Sequence, residues 1–491
     1  MFGLICLTLV IAPMAIVWAQ SGGSLDLRSN VIAGGGNTST GSGNLQISGT
    51  IGQPAAGTQT TGGTLTQTGG FWPAILGVPA ATPTPVAGAG SLQFSAPAFS
   101  GNEGCAPATI TVTRTNGSTG AVTVDFASND GTATQARDYE LASGTLAFGD
   151  GETSKTLDVL ITKDAYTEGN ETVNLALSNA TGGAALGAQT TATLTIIDDA
   201  TVPTNSQPID DAATFVCQHY HDFLARTADS GGAAFWTSQI TNCGSDQTCI
   251  RNQRIVVSNS FYFEQEFQQT GTYVYRLYRA AFGNTQPSPN PDNSNPAEAN
   301  KVPSYAVFMP DRARVPGGPG LPQAQLDLAN AFVQRPAFVS RYPASLAGSA
   351  FIDAVTNGIK NDIKDANGAA IDLSAQKSAL LNLFNQAGGG NAGRAAVIYR
   401  LADDNVNTNP VNNRIFIDAE YNRSFVATQY YGYLRRDADI GGFLFWLGQV
   451  SSAPLRDTTK QHSMVCSFIT SGEYENRFSA LVTHTNAECT P

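Results

Sequence analysis

Between residues 92 and 199 apolar and polar positions alternate with a period of two. The runs are ITVTRT at 110–115, AVTVDFAS at 121–128, GTLAFG at 144–149, KTLDVLIT at 155–162, TVNLALS at 172–178 and TATLTIID at 191–198. Each sets Val, Ile, Leu or Thr on every second position, and Gly, Asn and Asp punctuate the gaps, which predicts short antiparallel strands packed as a β-sandwich. After a short linker at 201–210 the period changes. From 211 to 490 apolar and aromatic residues recur at i, i+3, i+4 and i+7, the spacing of amphipathic helices.

The helical part contains a repeat. FVCQHYHDFLARTADSGGAAFW begins at 215 and FVATQYYGYLRRDADIGGFLFW begins at 425, an offset of 210 held without a gap. In each copy an apolar face (Phe215, Tyr220, Phe223 and Leu224 in the first) predicts one helix. The segment 226–232 predicts a turn, and Phe235 and Trp236 are expected to pack back from a second helix. Asp229 and Asp439 stand where a side-chain oxygen caps that second helix, and the glycine pair after each offers a positive φ at the turn. The copies are placed near 211–283 and 421–482, with a weaker middle copy near 324–400.

Acidic residues fall in some gaps of the β segment and not in others. Glu103 precedes the run at 110, Asp138 lies two strands later, Asp164 and Glu168 two strands further, and Asp198 and Asp199 close the last run. In an antiparallel sheet two strands return the chain to the same end, so these six carboxylates are expected at one pole. Like charges gathered there raise one another's energy unless a hard cation with oxygen ligands neutralises them, and Ca2+ is the natural candidate.

These residues carry a resemblance. NEG at 102–104, ITVTRTNGSTGAVTVDF, RDYELASGTLAFGDGET at 137–153, EGNET at 168–172 and the closing TIIDD at 195–199 resemble a Calx-beta domain, the calcium-sensing sandwich of sodium–calcium exchangers and of many secreted bacterial proteins. The resemblance covers about a fifth of the chain. It implies an immunoglobulin-like all-β fold and a calcium site, with Glu103, Asp138, Asp164, Asp198 and Asp199 at metal-ligand positions and Glu168 in the acidic loop. Two positions depart from the family pattern: its paired aspartates read Lys163-Asp164, and its EGDE reads EGNE with Asn170. The repeat resembles a helical family of undefined activity with an R-x-x-D-x-x-G-x-x-x-W core, also found in secreted bacterial proteins.

The whole chain is therefore read as multidomain: an all-β sandwich at 92–200, then an all-α helical repeat region. Ahead of both stands a small β module at 20–78, rich in Gly, Ser and Thr, joined by the Pro-rich linker 79–91. The apolar run at 2–19, ending in VWA, reads as a secretory signal. Export agrees with the cysteines: beyond Cys6 there remain Cys105, Cys217, Cys243, Cys249, Cys466 and Cys489. Cys243–Cys249 and Cys466–Cys489 are the expected disulfides, with Cys105–Cys217 only as the remainder.

A formal net charge of −12 argues against nucleic acid as a partner. The four histidines lie in no HExxH, and no nucleophile elbow or P-loop is present. The isolated S-x-x-K at Ser374–Lys377 lacks companion motifs. The sequence is thus read as a secreted or cell-surface calcium-binding protein without catalysis, acting in adhesion or interaction with a protein or surface-polymer partner, and with membrane or cell-envelope association. An extracellular hydrolase with accessory β modules, recognisable by a nucleophile beside His219, His462 or His484 in a cleft, is the competing class. A metal-free structural spacer is the third.

Overall fold

The computed structural model describes residues 61–62, 65–66, 88–199, 203–318, 320–405 and 407–489. The signal at 1–19, nearly all of the module at 20–78 and most of the linker that follows lie outside the described residues. Within the module the structure describes a hairpin, β1 (Thr61–Gly62) antiparallel to β2 (Leu65–Thr66).

The alternating segment forms two sheets. β3 (Ser91–Phe94), β5 (Ala108–Thr115), β8 (Ser154–Val159) and β10 (Ala185–Leu186) make one, in the order β10-β3-β5-β8. The other is β4-β11-β9-β6-β7, built from β4 (Ala98–Asn102), β6 (Val122–Asp130), β7 (Ser143–Phe148), β9 (Glu171–Ser178) and β11 (Thr191–Ile197). In β5 burial alternates residue by residue, with Ile110 and Val112 fully enclosed between the sheets. Val122, Val124, Val173, Leu175, Leu194 and Ile196 face them from the second sheet. Each such side chain removed from water stabilises the sandwich by roughly 1.5–3 kcal/mol.

Three strands lie outside the runs read from the sequence. β10 has two residues, β3 only four with Leu92 and Phe94 buried, and β4 (AFSGN) carries no buried apolar row, so each is too short or too polar to stand out in the sequence. Two of them also depart from the antiparallel expectation: β4 runs parallel to β11, Ala98 beside Thr193 through Asn102 beside Ile197, and β10 runs parallel to β3. At the β5–β6 turn, Gly117 lies so close to the Gly88 carbonyl that a Cβ there has no room, and its φ of 146° suits glycine alone.

The helical region packs on the sandwich within one unit. Both repeats have the expected form. Ala212–His219 continues as a wider turn at Tyr220–Leu224 and is followed by the helix Ser230–Thr241; Arg414–Tyr433 is followed by Ile440–Ser451. Asp229 and Asp439 cap the second helices, accepting from the N–H of Gly232 and Gly442 at 2.7 and 2.6 Å.

Two details differ from the sequence reading. The glycine pairs lie inside the first helical turn and not at positive φ; that conformation falls at Ala225 and Arg435, both at φ 50°. Gly232 and Gly442 are needed because a Cβ would collide with the hydroxyls of Tyr220 and Tyr430. Phe235 does not pack back: it is 54 % exposed, as Phe445 is at 56 %, while Trp236 and Trp446 rest half-buried on the core. The stretch near 324–400 is helical over Ser349–Asp362 and Gly390–Ala402, among others, but those helices begin at Gly348 and Gly389 without a side-chain cap.

Disulfides join Cys243 to Cys249 and Cys466 to Cys489. The third, Cys105–Cys217, with Cα atoms 5.9 Å apart, ties the loop after β4 to the first helix of the repeat region.

Candidate metal centre

Because β4 and β11 are parallel, the segments that follow them leave the sheet at the same end and bring Glu103 beside Asp198 and Asp199. The Asp199 N–H points at the Glu103 carboxylate at 3.5 Å. Asp138 reaches this pole from the β6–β7 connection, and Asp164 and Glu168 from the β8–β9 connection. Asp138, Asp164 and Glu168 each offer an oxygen within 4.8 Å of the other two.

Three of the carboxylates accept hydrogen bonds through one oxygen. Asp138 Oδ2 accepts from the N–H and hydroxyl of Thr134 at 2.6 and 3.1 Å, and Asp198 Oδ2 accepts from the N–H groups of Glu168 and Gly169 at 3.1 and 2.8 Å. Asp164 Oδ1 accepts from the Tyr166 N–H at 2.8 Å. Asp138 Oδ1 and Asp198 Oδ1 are buried without a hydrogen-bond partner. A buried carboxylate oxygen left so is costly, and such an oxygen is what a cation would satisfy.

The electrostatics agree. Burial, with the charges of Asp198, Glu168 and Asp138, pushes the Glu103 carboxyl up to about 7. Burial and Glu103 raise Asp164 to about 8, and burial with Asp138 also lifts Glu168. The pole thus carries acids that resist ionising at neutral pH when nothing offsets them.

Two participants were not singled out in the sequence. Glu171, the first residue of β9, is raised to about 7 by burial and by Asp138 and Glu168, which puts a further acid at the pole. The last letter of EGNE was its only signal. Arg137 stands 3.6 Å from the Glu168 carboxylate, with its guanidinium over the Tyr166 ring at 4.7 Å.

Only oxygen donors converge here, which suits a hard cation. Oxygens about 2.4 Å from a common centre lie at most about 4.8 Å apart, the spacing of calcium ligands. The residues fit the ion.

The histidines do other work. His219 is fully buried, its ring nitrogens 2.7 Å from the Phe215 carbonyl and 2.6 Å from Ser258 Oγ. Ser258 is buried as well and also bonds the Tyr433 hydroxyl. Burial holds His219 and His221 down to about 4, neutral groups of the core. His484 sits between Asp210 and Glu488 at 3.1 and 3.0 Å. Lys377 of the S-x-x-K string pairs with Asp353 at 2.7 Å.

A two-sheet sandwich with an acid-lined pole defines the class of module. Residues 87–200 match the family model described as the Calx-beta domain, and this segment is a Calx-beta domain. It is 46 % identical over 87 residues to the adhesion G-protein coupled receptor V1 of Danio rerio, covering 18 % of this chain and 1 % of the receptor. It is 37 % identical over 115 residues to the sodium/calcium exchanger 1 of Mus musculus, covering 20 % of this chain and 12 % of the exchanger. Among solved structures, the apo-form Calx CBD1 domain aligns at 25 % identity with a TM-score of 0.22, over 22 % of this chain and 96 % of that one. The matched stretches cover 18–22 % of this chain. Among the described residues no helix is long and apolar enough to cross a membrane.

Proposed function

We propose that this chain is a secreted or cell-surface interaction protein, without catalysis, whose sandwich binds calcium. The observation that carries the reading is the pole itself: Asp138, Asp164 and Glu168 converge within 4.8 Å, and Asp138 presents a buried oxygen with no partner. Glu103, Asp198 and Asp199 would complete the ligand set, with Glu171 beside them. Kinship of the sandwich with exchanger and adhesion-receptor modules supports a regulatory or adhesive setting, and the helical repeats would present the surface for a protein or surface-polymer partner.

Occupancy would offset the burial and the repulsion that hold the Glu103 and Asp164 carboxyls above their ordinary range, and would order the three connections that supply the acids. Melting of the full chain in calcium and in chelator tests this. A calcium-dependent rise in Tm is expected, lost in Asp138→Ala and Asp198→Ala. Identical melting in calcium and chelator, in parent and variants alike, supports the metal-free spacer instead.

A further inference from the structure

We propose that the metal pole is also the latch that docks the helical region on the sandwich, so that divalent-cation binding and interdomain docking stabilise one another. The proposal rests on the calcium reading above and extends it to regulation.

Three of the connections that supply pole acids are each held by the helical region. Two residues after Glu103, Cys105 is disulfide-bonded to Cys217. The segment around Asp138 is gripped by Arg435, whose Nη1 donates to the carbonyls of Gln135, Arg137 and Tyr139 at 2.9, 3.4 and 3.1 Å. The segment around Asp164 is held by the Ala165 N–H on the Phe478 carbonyl at 2.8 Å and by the Tyr166 hydroxyl on the Asn476 carbonyl at 2.9 Å.

Behind these contacts lies a buried charge cluster that fixes the helical side. Arg435 pairs with Glu140 of the sandwich and, at 3.2 Å, with Asp222; Arg477 pairs with Asp222 at 2.8 Å. The same short backbone stretches therefore present ligands to the pole on one side and accept the helical region on the other. A cation that fixes Asp138 and Asp164 fixes the carbonyls and N–H groups that Arg435 and residues 476–478 use. By reciprocity, docking preorganises the ligands by the same factor.

The test uses the full oxidised chain, with Ca2+ as the probe. Hydrogen exchange of residues 474–484 and 134–141 is followed with and without calcium, and calcium affinity is measured for parent, Tyr166→Phe and Arg435→Met. Coupling of ordinary size gives Tyr166→Phe, which removes only the hydroxyl on the Asn476 carbonyl and keeps the N–H on Asp164, an affinity about five-fold weaker. It also slows exchange at 474–484 when calcium is added, and the parent alone reports this should Arg435→Met fail to fold. Calcium binding with unchanged affinity in Tyr166→Phe and unchanged exchange at 474–484 overturns the latch while leaving the metal site standing. Absence of calcium binding in the parent removes the site and the latch together.

Discussion

Ala225 and Arg435 occupy the same place in the two repeats and share one backbone conformation, φ 50° at the end of the first helix. Only the second carries a side chain beyond Cβ. That side chain crosses to the sandwich, where it meets Glu140 and three backbone carbonyls. The repeat thus supplies the same turn twice and uses one of them to join two domains.

Removal of Arg435 leaves Glu140 buried without its ion-pair partner, only the charge of Arg312 acting on it, and leaves Asp222 with Arg477 and the Gln218 amide. Arg435→Ala is expected to destabilise the chain by about 3–5 kcal/mol, read from denaturant midpoints. Ala225→Gly relieves a left-handed alanine and is expected to be neutral or stabilising by up to about 1 kcal/mol. Equal effects at the two positions would contradict the asymmetry.

Gly232 and Gly442 make the same prediction twice. Each abuts the hydroxyl of a tyrosine, Tyr220 or Tyr430, so that a methyl group overpacks the turn. Gly232→Ala and Gly442→Ala are each expected to cost about 1–3 kcal/mol. The double variants Gly232→Ala/Tyr220→Phe and Gly442→Ala/Tyr430→Phe should recover part of it.

The Cys105–Cys217 bridge closes a span of 112 residues across the two domains. Cys105→Ser with Cys217→Ser is expected to lower stability by about 2–5 kcal/mol. If the helical region is latched at the pole, the loss should be greater in chelator than in calcium.

Two sets of groups give stability opposite dependences on pH. His219 and His221 are held near 4 by burial, below their ordinary value, so between pH 6.5 and 4 the unfolded chain binds more protons. Stability from this source falls as the pH drops through that window. Glu103, Asp164 and Glu171 are raised to about 7, 8 and 7, so without metal the folded chain binds more protons above the ordinary carboxylate range. Their contribution is present at low pH and is lost as the pH rises towards 8. The calcium-induced rise in Tm should therefore be larger at pH 8 than at pH 5.5. Calcium binding near pH 7 should also release protons, seen as a dependence of the binding heat on the buffer's ionisation enthalpy.

The sandwich was legible because β5, β6, β9 and β11 each bury every second residue along much of their length, and a period of two leaves a trace in sequence. β3, β4 and β10 were not, being too short or too polar for a period to stand out. Convergence of Glu103, Asp138, Asp164, Glu168 and Asp198 followed from counting chain reversals, although for Glu103 the physical reason is the parallel β4–β11 pair. The repeat was readable from side-chain identity at 11 of 22 aligned positions, yet not the left-handed residues at its turn, because neither Ala nor Arg advertises a positive φ. The Arg435 contacts join residues about 300 positions apart, with no local pattern to announce them.

Whether the pole holds calcium is decided by calorimetric titration of the full chain with calcium at neutral pH, beside Asp138→Asn and Asp164→Asn. Saturable binding by the parent, accompanied by proton release, is expected, with its loss in both variants. Heats of dilution alone in the parent, or binding that survives both substitutions unchanged, would contradict calcium binding at the pole.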